Sequence, residues 1–357
     1  MSIKIELHTE SFTPKRHLLV EAGGITAHAF RYPSGVAALE VDTGAARFTL
    51  LPWQGQQIWD AWAGARRLTM RSVFDQPLPT RDFRRTYGGF FLHCGGTGMG
   101  HPGPEDEHPQ HGEMPNMPFE RAWLVASEGE LALAGIAHER EAFSHAYAFR
   151  PELRFRRGSA LVEARVEVEN EGGAPMPFMY LGHANFRPVD GSRIVDALAD
   201  DAALVVAEPG LPARFAPEEE AGIRRWHDEV ASDPARHRRI LAGDRVEPEF
   251  VALLHLPADG DGWAHALQML PDGGADVVSF RPADLPLGVR WLTRARERQA
   301  LGLLLPATAA PDGCAAAQRA GTLRWLAPGE CFATRLRFGA LDADAAAVLV
   351  QALAPGG

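Results

Sequence analysis

The stretch "LVEARVEVEN" at residues 161–170 constrains this chain most. Val162, Ala164, Val166 and Val168 alternate with Glu163, Arg165, Glu167 and Glu169. A period of two places every apolar residue on one face and every charge on the other, which only a half-buried strand satisfies. With "ELRFRRGS" before it, the segment predicts a hairpin. Similar short apolar or β-branched runs recur in "ITAHAFRY", "VAALEVDTG", "ARFTLLPW" and "QQIWDAWAG", each bounded by turn residues. "ERAWLVASEGELALAGIAHE" predicts two strands joined at Ser127–Gly129. "EFVALLHLPADGDGWAHALQML" and "GTLRWLAPGECFATRLRFGAL" predict two further hairpins. Helix is sparse: residues 217–243, broken at Pro234, and the tail "DADAAAVLVQAL". With no fixed-period repeat and no linker, the 357 residues read as one all-β domain over 1–357, a large antiparallel β-sandwich with a few short helices.

Composition narrows the partners. A net charge of -10 argues against nucleic acid, which calls for a basic face. The three cysteines, Cys94, Cys314 and Cys331, show no paired spacing and suit a reducing compartment. No run is apolar and long enough to span a bilayer, and the start lacks the apolar centre of a secretory signal. A cytoplasmic protein without a membrane partner is expected, its oligomeric state open.

Three segments carry the chemistry. "HCGGTGMGHPGPEDEHPQHGEMPNMP" (93–118) gathers His93, His101, His108 and His111 with Glu113. Imidazole and carboxylate suit a metal, yet no HxH or HExxH spacing occurs. His101 and His108 read as solvated, whereas His111 reads as entering a site. In "PFMYLGHANFRP" (177–188) an apolar strand delivers His183, Asn185 and Arg187 at its end. His183 is either a general acid or a core histidine bonded to backbone. In "LPLGVRWL" (285–292), Arg290 can bond hydroxyls and Trp291 can stack on a sugar ring, the alternative being that Trp291 is plain core.

These segments resemble the aldose 1-epimerase (galactose mutarotase) superfamily, and more closely its bacterial DUF4432 branch. "YGGFFLHCGGTGMGHPG" resembles the branch's GG-x-x-x-x-CG loop, "QHGEMPNMP" its LHGR-x-x-N-x-P segment, and "VEVENEGGAPMPFMYLGHANFRP" its strand, turn and H-x-N-F run. The likeness covers roughly residues 85–340, with N-terminal strands in 1–84. It implies a β-supersandwich with an open sugar cleft and neither metal nor nucleotide cofactor. By position it implies that His183 protonates the ring oxygen, that His111 binds sugar or supports the acid, and that Asn185 and Trp291 lie near the site. The superfamily's basic glutamate falls on Leu305, the arginine of HGR on Glu113, and a lysine on Leu292. Leucine accepts no proton, so Glu113 or Asp312 is a candidate replacement.

The expectation is therefore a carbohydrate-active protein of epimerase or mutarotase type. The catalytic residues are His183, His111 and Glu113, with His93, Asn185, Arg187, Arg290 and Trp291 binding the sugar. Two alternatives stand beside it: a metal-assisted sugar isomerase using His93, His111, Glu113 and His183, and a carbohydrate-binding protein without catalysis.

Overall fold

The computed structural model describes residues 2–199, 205–206 and 217–353. Two antiparallel sheets dominate it, one of ten strands and one of thirteen. In the smaller sheet the Leu161–Asn170 strand pairs with Glu152–Arg156 in the predicted hairpin and with Cys331–Leu341 on its other side. Val162, Ala164, Val166 and Val168 are buried as their alternation requires. Outside, Arg337 and Arg165 both reach Glu163.

The sheets meet across a shared core. Phe91 of the larger sheet stacks on Phe338 of the smaller at 4.3 Å between ring centroids. Phe178 meets Phe332 and Phe48 meets Phe155 across the same core, with their rings tilted rather than stacked. The larger sheet also buries part of its opposite face. Leu92, Cys94, Met179, Leu181, Val289, Trp291, Leu305 and Ala307 form a separate apolar cluster there, and the functional cleft opens over it.

Two of the expected hairpins are corrected. Val246–Leu254 belongs to the larger sheet, beside Leu287–Arg294, while Ala264–Met269 belongs to the smaller. The turn itself forms, with Asp259 Oδ1 accepting from the backbone of Asp261 and Trp263. The strand before it peels away to the facing sheet. Likewise Arg324–Leu326 pairs with Met176–Phe178, whereas Cys331–Leu341 lies in the other sheet. A turn motif reports a local reversal and says nothing about which long-range partner each arm finds.

The helices follow expectation at their breaks. One runs Pro217–Ser232, and Asp233 then caps a 3-10 turn at Pro234–Arg238 by accepting from the Ala235 amide. Another covers Ala343–Leu353. A short helix at Cys314–Arg319 was not read from the sequence. No helix among the described residues is long and apolar enough to cross a membrane.

Candidate functional site

Strand parity builds the site. Met176–Ala184 pairs antiparallel with Phe91–Gly96, placing His183 opposite Leu92 and Gly182 opposite His93. Opposed residues of such a pair share a face. His183 therefore stands on the cleft face with Leu92, and His93 on the core face with Gly182, where an added Cβ would come within 2.4 Å of Leu336 of the facing sheet. Two strands away, Trp291 lies opposite Val251 on the cleft face, and Arg290 opposite Ala252 on the other.

The cleft, of about 770 Å3, is lined by Tyr87, His111, His183, Glu249, Trp291 and Arg298 among others, a size usual for small-molecule sites. The ring of His183 is 5.6 Å from that of His111, 5.5 Å from Trp291 and 5.8 Å from Tyr87, each edge-on. The Tyr87 hydroxyl donates to Asn185 Oδ1 at 3.1 Å and lies 3.5 Å from His183 Nε2. Trp291 Nε1 donates to Glu249 Oε2 at 2.6 Å.

His111 arrives from the loop by a different route. Its φ is 62°, a left-handed conformation that is uncommon for a residue with a Cβ. Two backbone bonds fix it: its amide donates to Gly100 O and its carbonyl accepts from the Gly95 amide, both at 2.8 Å. Its ring packs on Phe83 at 4.5 Å. Such strain held by surrounding bonds is a common feature of working sites.

Burial sets the protonation states. It pulls the His183 pKa down to about 4, a hydrogen bond with Asn185 opposing part of the shift. His111 is lowered well below the ordinary value by burial and by the neighbouring His183. The sequence expected an imidazole titrating near the pH of the cell; in the folded protein both rings are neutral there, each with one N–H and one lone pair. Nδ1 of each is shielded from solvent without a protein partner. Burial raises the Tyr87 phenol well above its ordinary value, which keeps it a donor.

Of the expected site residues, His183, His111 and Trp291 converge on the cleft. Asn185 is fully buried behind it; it orients Tyr87 and donates to Gly89 O at 2.9 Å. The rest lie elsewhere. His93 is sealed in the core, sharing a 2.8 Å hydrogen bond with the Tyr180 hydroxyl, and burial takes its pKa down to about 3. Arg290 donates to Asp196 at 2.7 Å, to His237 at 2.8 Å and to Leu303 O, all buried. Arg187 donates to Thr69 O outside the cleft lining. Glu113 lines the neighbouring cavity, bonded by both the amide and hydroxyl of Thr97 and by Tyr147. The four residues of the metal alternative are thus divided among three places. Among the described residues no three His, Cys, Asp or Glu side chains are placed to hold a metal ion.

His101 is exposed as expected, at the cleft rim. His108 is not: it is buried against Gly98, whose missing Cβ leaves the space the imidazole ring occupies. Tyr87, Glu249 and Arg298 were missed. Glu249 had a signal, since it lies two residues before Val251 and so on the same face, but reading it required the pairing of Val251 with Trp291.

Comparison with known proteins agrees with this architecture. A proposed aldose 1-epimerase from Klebsiella pneumoniae superposes with a TM-score of 0.80 at 16% identity, over 99% of this chain and 95% of that one. A galactose mutarotase-like protein from Clostridium acetobutylicum gives 0.59 at 13% identity, over 89% and 98%. At these identities the likeness shows a galactose mutarotase-like fold. Curated proteins yield no match. The family described as a domain of unknown function, DUF4432, matches residues 33–340, and the chain belongs to that family.

Proposed function

We propose that the cleft binds a free sugar or sugar derivative and opens and recloses its ring, as an aldose 1-epimerase does. His183 delivers a proton to the ring oxygen, and His111 and Tyr87 hold the hydroxyls. The observation that carries this reading is the meeting of two neutral imidazoles, a phenol and an indole around one cleft. A sugar ring presents an apolar face and a rim of hydroxyls, and aromatic faces beside paired donors and acceptors match both. The superfamily's fold supports the same substrate class. The whole chain serves as one domain, and three unpaired cysteines support a cytoplasmic setting.

Saturation-transfer or exchange NMR on a panel of reducing sugars and sugar acids tests the proposal. Anomer exchange of at least one sugar, faster than in buffer, is the expected result. Binding with no faster exchange would favour the non-catalytic alternative, consistent with the leucine at position 305 on the cleft floor.

A further inference from the structure

We infer that Glu249 is the proton acceptor of this site, a carboxylate supplied from a different strand than the one that carries Leu305. The inference rests on the ring-opening reading above. Leu305 lies opposite Val289 on the Gln299–Ala307 strand and contributes only apolar surface to the cleft. Among the described residues, three carboxylates line the cleft: Glu249, Glu297 and Asp312. Glu297 and Asp312 are exposed, whereas Glu249 is half-buried. Only Glu249 is oriented by a cleft residue, through the 2.6 Å bond from Trp291 Nε1 to its Oε2. That indole is itself fixed, buried and edge-on to His183. Among the described residues no partner engages Oε1. Among the described residues no arginine or lysine lies within ion-pair distance to neutralise the carboxylate. Arg298, which also lines the cleft, donates instead to Pro248 O and Thr293 Oγ1. Trp291 is thereby a positioning residue for Glu249 as well as a wall for the sugar.

The step balances as follows. Glu249 takes the proton of the anomeric hydroxyl, and the electron pair of that O–H bond becomes the second bond of a C1 carbonyl. The bond from C1 to the ring oxygen breaks, its pair stays on oxygen, and the oxygen takes a proton from His183. That histidine reacts from the minor fraction that has first taken up a solvent proton, since burial keeps the ring mostly neutral at cell pH. Rotation about C1–C2 and the reverse transfers give the other anomer, with both groups restored.

Exchange rate and sugar affinity, measured for wild type, Glu249→Gln and Glu249→Ala, provide the test. In Glu249→Gln, exchange at saturating sugar should fall about 100- to 10,000-fold, the usual loss for a general base, with affinity within about threefold. Formate added to Glu249→Ala should restore part of the rate, which a merely structural role would not allow. Should Glu249→Gln fail to fold, Glu249→Asp serves, with at least a tenfold loss expected. An active wild type with an unimpaired Glu249→Gln, or the same loss transferred to Glu297→Gln or Asp312→Asn, overturns the assignment alone. A wild type silent on the whole panel overturns the ring-opening reading and this assignment with it.

Discussion

The two faces of the larger sheet use the same residue types for opposite ends. On the cleft face His183 and Trp291 stand with Glu249 beside a cavity. On the core face, one residue away along neighbouring or identical strands, His93 is sealed with a single hydrogen bond to Tyr180, and Arg290 is locked into a closed network. Arg290 and Arg238 both grip Asp196, and His237 completes the set. These bonds pin the 217–239 excursion to the sheet. Burial opposes the charge on Asp196, but Arg290 and Arg238 overcome it and hold its pKa below the usual carboxylate range. An arginine or histidine in such a sequence thus has no function until its parity is known.

This contrast can be broken at several points. The largest effect is expected from Arg290→Ala, which leaves a buried carboxylate short of one partner. Removal of one member of a buried ion pair costs about 3–5 kcal/mol, so denaturant unfolding should shift by that amount. A loss below about 1 kcal/mol would mean that Arg290 is not a structural anchor.

The core histidines should make stability fall in acid. Burial lowers His93 and His237 to about 3, against about 6.5 in an unfolded chain. Between those values the unfolded state binds more protons. The contribution is complete above about pH 6.5 and is lost as pH falls towards 3, at up to about 1.4 kcal/mol per pH unit for each group. Thermal melts from pH 7 to pH 4 should show this slope, and His93→Phe should flatten it. An unchanged slope in that variant would remove His93 from the account.

On the cleft face, Trp291→Ala should weaken sugar binding about 3- to 10-fold, the scale of one aromatic contact, as calorimetry would report. The smallest effect is expected from Glu113→Gln. Its carboxylate belongs to the neighbouring cavity, so exchange should stay within about twofold of wild type.

Much of the fold was legible before any coordinates. The alternation at 162–168, the break at Pro234 and the order of the family motifs all emerge from local pattern, and local pattern is what a sequence displays directly. The opening arms of two turns were not legible, because Leu254 and Leu326 find partners in a sheet that their own turns do not indicate. The site divides in the same way. His183, His111 and Trp291 stand in motifs. His93 sits in a motif too, yet the pairing of Leu92 with His183 turns it inward. Glu249 sits in no motif, and its role depends on a register between strands forty residues apart. His108 was read as solvated, and its burial was not legible because a neighbouring glycine, not its own polarity, decides it.

The most direct test of the central claim is anomer-exchange NMR on two variants of neighbouring, paired strands, His183→Ala and His93→Phe, beside wild type. The account predicts an exchange rate at least 100-fold lower in His183→Ala and essentially unchanged in folded His93→Phe. Equal losses in both, or a loss in His93→Phe alone, would contradict the assignment of the chemistry to the cleft face.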